Sequence, residues 1–222
     1  MVKKILVIVA HPDDEILGVG GTIKKHTNAG DETYCLILGQ GILSRDNSNE
    51  KEISNLREDS LMAGKTIGFK EVFFENVPDQ RSDSVDFLDI VKIIERYFSK
   101  IRPDVVYTHY ENDLNLDHRI TFRSVITASR PCNENSPSEI YSFEVLSSTE
   151  WQLEGEKFKP NTYVNIETEI DAKVNALKIY TSEIREYPHP RSKEGIIILA
   201  QYRGLECNKK YAEAFKLIRS IK

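Results

Sequence analysis

Cysteine is scarce: 222 residues contain only Cys35, Cys132 and Cys207. They are odd in number, far apart and without Cys-x-x-Cys spacing, which argues against a disulfide framework and against a thiolate metal site. Long apolar runs are also missing, and no stretch approaches the ~20 residues that span a bilayer. The apolar run over residues 5–10 is cut off at once by His-Pro-Asp-Asp-Glu, too short for a signal-peptide core with a cleavage site. Basic residues are not in excess. Lys and Arg total 30 against 35 Asp and Glu, a net charge of -5 that argues against a protein built to grip a nucleic-acid backbone. Repeats, low-complexity tracts and domain linkers are absent too. The expectation is a reduced, soluble, cytoplasmic protein with no membrane span and no nucleic-acid partner.

A 40% hydrophobic content in a chain of this length supports one sizeable core and is too little for two comfortable domains, so residues 1–222 read as a single domain. Apolar runs over 5–10, 34–38, 72–74 and 105–108 predict strands, the first two buried on both faces. Between them lie helical patterns. Phe87, Ile90, Val91, Ile94, Tyr97, Phe98 and Ile101 follow three-and-four spacing, and a helix over 49–67 carries Ile53, Leu56, Ala63 and Ile67 inward. Strands alternating with helices predict right-handed crossovers and an α/β fold. The expected form is a three-layer α/β/α sandwich around a Rossmann-like, mostly parallel sheet. Later, 140–146 reads as a strand and 167–181 as a helix. Residues 211–221 read as a closing helix with Tyr211, Ala214, Phe215 and Ile218 inward. Segments 40–51 and 131–138 read as long loops, the former either a lid or a plain connection.

In parallel sheets, function gathers at the carboxyl ends of the strands. Two chemistry-bearing motifs fall there: 11–15 after the first strand and 109–118 after the fourth. Hydrolytic zinc takes three His or carboxylate ligands and leaves one position for water. His11 and Asp14 share one tight turn and can converge on a point. Asp13, between them, is then beside the metal and able to take a proton from bound water. A third ligand must come from elsewhere, and Asp117-His118 is the best source. Each aspartate alone is more often a helix N-cap. The combination is harder to dismiss, because burying so many charges without a metal is costly.

Ala10-His11-Pro12-Asp13-Asp14-Glu15 with a later Asp117-His118 resembles the PIG-L/LmbE-like zinc-dependent N-deacetylases. Arg57-Glu58, Ala63 and Gly68 support the resemblance, as do Arg203-Gly204 and Ala212-Glu213-Ala214-Phe215. It implies a deacetylase domain over 1–222. His11, Asp14 and His118 would be the zinc ligands, Asp13 the general base and Arg57 a substrate-binding residue. The implied substrate is an N-acetylglucosamine-type sugar, free or carried by a lipid, nucleotide or other group. A His-His-Asp site also accepts Fe(II) or Co(II), and a homo-oligomer stays open. One position departs from the family. Its second motif commonly reads His-Pro-Asp-His, whereas here it is Asn115-Leu116-Asp117-His118. Asn115 can donate a hydrogen bond to an oxyanion but cannot act as an acid near neutral pH. Asp117 would orient a ligand or Asn115.

Weaker signals remain. Gly18, Gly20 and Gly21 do not form G-x-G-x-x-G, and two aspartates occupy the turn where a pyrophosphate would sit. The better reading is close helix-to-sheet packing. In Tyr187-Pro188-His189-Pro190-Arg191, His189 and Arg191 could meet the substrate's carrier, or the segment is a turn pinned by two prolines. His26 reads as solvated, His109 as a buried, satisfied residue and Trp151 as packing. A zinc amidohydrolase acting on a non-sugar or thiol-conjugate amide and a non-catalytic nucleotide-binding module remain the rival readings.

Overall fold

The computed structural model describes residues 2–41, 50–153 and 155–222. The first four apolar runs form β1 (Lys4–Val9), β2 (Glu32–Gly39), β3 (Glu71–Val77) and β4 (Val105–His109). All are parallel, and β5 (Glu139–Phe143) extends the parallel set beside β4. Two further strands, β6 (Thr162–Asn165) and β7 (Ala212–Ser220), complete one sheet in the order β3-β2-β1-β4-β5-β7-β6. The connection order reverses between β1 and β4, and a crevice at that point is where such sheets bind ligands.

Burial of β1 on both faces explains the layers. Ile5, Val7 and Val9 join a core with α1 (Asp14–Asn28), α2 (Glu50–Ile67), α5 (Ile170–Ile179) and α6 (Lys193–Cys207). Leu6 and Ile8 face the opposite way, toward α3 (Phe87–Ile101) and α4 (Leu116–Ala128). The result is the three-layer α/β/α sandwich that the sequence predicts. Ile90, Val91, Ile94, Phe98 and Ile101 of α3 are buried as their spacing requires, while Phe87 at the helix start stays exposed. The glycines of α1 serve packing: a Cβ at Gly18 would lie 2.2 Å from the Phe143 ring of β5, so the helix can lie this close only without one. Among the described residues, no helix is long and apolar enough to cross a membrane.

The last third departs from expectation. Residues 211–221 do not form a helix. They carry β7, which pairs antiparallel with β5 on one side and β6 on the other. Ala212 to Phe215 are buried on both faces, so no alternation marks the strand. The ladder on either side overrides the helical preference of Ala, Glu and Lys. Helix α6 hides behind the β-branched run Ile196-Ile197-Ile198, which reads as extended chain when taken alone. The predicted helix over 167–181 is α5, and the predicted strand over 140–146 ends at Phe143. Most of segment 40–51, with its lid reading, lies outside the described residues, and α2 has begun by Glu50.

Candidate metal centre

The chain leaves β1, passes Pro12 and turns sharply at Asp13, whose φ of 92° lies in the left-handed region. Side-chain-bearing residues persist there only where the surroundings hold them. The Asp13 carbonyl accepts from the amides of Ile16 and Leu17, which starts α1. This tight turn brings His11 Nδ1 to 3.4 Å from Asp14 Oδ2, and the same oxygen accepts the His11 amide at 2.9 Å. The second strand end supplies the other half. Asn115 caps α4, its Oδ1 accepting from the Asp117 amide at 2.8 Å. One residue further on, His118 Nε2 comes to 3.3 Å from Asp14 Oδ2 and 3.3 Å from His11 Nδ1.

These three atoms form a nearly equilateral triangle on three buried residues. Donors held ~2.0–2.2 Å from a tetrahedral ion lie about 1.6 bond lengths apart, or ~3.3–3.6 Å, so the spacing fits a small divalent cation. The outward-facing ring nitrogens are also engaged. Asp117 Oδ2 lies 3.0 Å from His11 Nε2, and Asp113 Oδ1 lies 3.2 Å from His118 Nδ1. Asp117 itself accepts from the amides of Gln80 and Ser82. Asp113 accepts from the hydroxyls of Ser148 and Thr149 and from the Asn115 amide. Such carboxylate–histidine pairs fix which nitrogen is left for the metal.

A second grouping, His11 with Asp79 and Asp117, uses the opposite ring nitrogen. It is the poorer cation site. Asp117 is already spent on two amides, and neither Asp79 nor Asp117 lines the cavity that His11, Asp14 and His118 face.

The electrostatics favour a cation. Burial opposes charge on His11, but Asp117 and Asp14 lift it to about 10. Burial likewise opposes charge on His118, and Asp14 with Asp113 lifts it to about 9. Burial would raise Asp14, yet His118, His109 and His11 together hold it well below the usual carboxylate range. His11 and His118 thus carry positive charge beside Asp14, while burial and the neighbouring His118 push His109 down to about 3, and a divalent ion can replace the two imidazolium protons. Asp13 differs: burial lifts it to about 7 against the pull of Arg191.

The site opens into a cavity of about 240 Å³ whose lining includes Asp13, Gln80, Asn115, Glu183 and Arg191. Arg191 Nη1 lies 3.0 Å from both Asp13 Oδ2 and Glu183 Oε2, and its Nε donates to Ser147 Oγ. Asn115 donates from Nδ2 to Gln80 Oε1 at 3.3 Å. Two predicted residues are not brought here. Arg57 donates to Asn76 and lies over the Phe74 ring beside β3, and His189 accepts the Arg191 amide within its own turn. Neither lines the cavity. His26 is not simply solvated: it lies 2.7 Å from Asp31 and 3.2 Å from the Tyr107 hydroxyl. His109 is fully buried, accepts the Ala10 amide and stacks on His118 with ring centroids 3.9 Å apart.

Sequence reasoning missed Asp113, Gln80, Glu183 and the Ser148–Thr149 pair. Asp113 had a weak signal, lying five residues before His118 in the loop that leads into α4. Gln80 follows β3 and Glu183 follows α5, so only the folded chain brings them to this cavity.

Residues 6–129 match the family model described as GlcNAc-PI de-N-acetylase. The chain is 27% identical to the diacetylchitobiose deacetylase of Thermococcus kodakarensis, covering 99% of this chain and 85% of that protein. It is 31% identical to a probable N-acetyl-alpha-D-glucosaminyl L-malate deacetylase 2 of Bacillus cereus, covering 82% and 84%. Among solved structures, that of N,N'-diacetylchitobiose deacetylase from Pyrococcus horikoshii shares the fold, with a TM-score of 0.78 at 23% identity over 97% of this chain and 84% of that one.

Proposed function

The chain belongs to the GlcNAc-PI de-N-acetylase (PIG-L) family, and from that premise we propose that it is a metal-dependent hydrolase removing the acetyl group from an N-acetylglucosamine-type amino sugar. The observation that carries this reading is the triangle of His11 Nδ1, Asp14 Oδ2 and His118 Nε2 facing a polar cavity, with Asp13 beside it. The substrate class follows the two relatives named above, deacetylases of a chitobiose and of a glucosaminyl malate. The cavity agrees with a small polar substrate. Its 240 Å³ falls below the ~300 Å³ at which pockets for drug-sized ligands begin, a size suited to one sugar ring.

In this reading His11, Asp14 and His118 hold zinc, and the donor set also accepts Fe(II) or Co(II). The bound ion supplies Lewis acidity, polarising the acetyl carbonyl and acidifying water. Asp13 takes the proton from the attacking water and returns it to the departing amine, so the products are acetate and a free amino sugar. Asn115 Oδ1 is committed to capping α4, which leaves Nδ2 to donate to the oxyanion of the tetrahedral intermediate. Asp117 keeps the proton on His11 Nε2 and so leaves Nδ1 for the metal. Residues 1–222 act as one deacetylase domain, because Glu183 and Arg191 from the last third complete the cavity begun by β1 and β4.

The direct test is to incubate the metal-loaded protein with N-acetylhexosamines, free and linked to neutral or anionic groups, alongside non-sugar amides, and to measure acetate. Release from a sugar is expected. Release confined to the non-sugar amides, or none at all, would overturn the substrate assignment. Asn115→Ser keeps a capping oxygen and removes the amide donor. It should lower kcat by about 10²- to 10³-fold at unchanged metal content, and unchanged turnover would remove Asn115 from the mechanism.

A further inference from the structure

The left-handed backbone of Asp13 has an unusual support. Its amide N–H is bonded by a side chain, Glu15 Oε2, at 3.1 Å. Glu15 is 1% exposed, and its other oxygen accepts from the hydroxyl of Tyr180, itself fully buried at the end of α5. The connection continues back to Asp13 by a second route. The Tyr180 carbonyl accepts the amides of Glu183 and Ile184, starting the turn that places Glu183 against Arg191. Arg191 then reaches the Asp13 carboxylate at 3.0 Å. The ring thus closes on Asp13 twice, at its amide through Glu15 and at its carboxylate through Arg191.

A carboxylate in the first turn of a helix is favourable wherever the helix starts, but that benefit is available at the surface and does not call for burial. Burying the carboxyl is costly unless its bonds do something that solvent cannot. What these bonds do is hold the amide of a residue whose backbone geometry is otherwise disfavoured. Neither Glu15 nor Tyr180 lines the cavity, so neither is placed to touch substrate.

We infer that Glu15, anchored by Tyr180, is the positioning residue for Asp13, holding the turn that aims the Asp13 carboxylate into the cavity. The inference rests on the deacetylase reading for the catalytic role of Asp13; the hydrogen bond itself can be tested without turnover.

Glu15→Met keeps the approximate volume and removes the acceptor, whereas Glu15→Gln keeps an oxygen for the Asp13 amide. The Met variant is expected to retain wild-type metal content and KM, and to melt somewhat lower than wild type because the buried Asp13 amide loses its acceptor. Its kcat should fall about 100-fold, the effect of a small misplacement of a reacting group. The Gln variant should recover to within about tenfold of wild type. Hydrogen exchange at the Asp13 amide, followed by NMR on metal-loaded protein, should be at least ~10-fold faster in the Met variant than in the wild type and the Gln variant. Wild-type kcat or unchanged exchange in Glu15→Met overturns the inference. Loss of metal, or a rise in KM matching the loss of activity, overturns it as well, since each assigns Glu15 to the metal site or the substrate. Failure of the wild type to release acetate from any sugar would instead overturn the deacetylase reading, with the exchange measurement still deciding the role of Glu15.

Discussion

Replacing Asp13 by Asn should leave metal content at the wild-type level and lower kcat for acetate release by about 10²- to 10⁴-fold. The reason lies in what the amide keeps and loses. Asn presents an oxygen where the Asp13 carboxylate meets Arg191 at 3.0 Å, so the contact survives in weaker form. It lies beside the three candidate ligands without being one of them, so the donor triangle is intact. An amide cannot accept a proton near neutral pH, and the same proton must reach the leaving amine. Elemental analysis with acetate release on the same preparation checks both halves. A metal-replete Asp13→Asn enzyme with normal kcat would remove Asp13 as the proton carrier.

His118→Ala should fail at the other step. It deletes one of three donor atoms and leaves His11 and Asp14, too few to hold a catalytic zinc ion tightly. Loss of a single outer hydrogen-bond partner already weakens metal sites about 10- to 100-fold, so loss of a ligand should exceed ~100-fold in metal affinity. His118 also stands 3.3 Å from Asp14 and 3.2 Å from Asp113, and its removal leaves those buried carboxylates with less compensation. The purified variant should therefore carry substoichiometric metal, melt at a lower temperature and release little acetate. Excess metal should restore part of this activity and none of that lost in Asp13→Asn, which separates holding the ion from moving the proton. Full metal occupancy in His118→Ala would direct attention to the alternative grouping of His11, Asp79 and Asp117.

Much of the architecture was legible because central parallel strands are buried on both faces and read as unbroken apolar runs, as β1 does. Helix α3 was legible for the complementary reason, its inward face repeating at helical spacing. Strand β7 was not. Residues Tyr211, Ala214, Phe215 and Ile218 keep a helical interval, yet a place between β5 and β6 makes the segment extended. Arg57 and His189 show the same limit at the level of function. Their residue types suit substrate binding, but the structure holds Arg57 against Asn76 and Phe74 and turns His189 onto its own loop.

By itself the sequence determined the α/β class, the two strand ends that carry chemistry, and the residue types able to hold a cation there. His11, Asp13 and Asp14 lie within four consecutive positions, so the turn that presents them is a local property. The tertiary structure alone decided what those groups meet: His118 closing a triangle across 107 residues, Asp117 on His11, Asp113 on His118, and Arg191 on Asp13 across 178 residues. Periodicity records which face of an element is buried. It carries no record of which distant side chain shares that burial, because the partner is chosen by how the elements pack around the sheet.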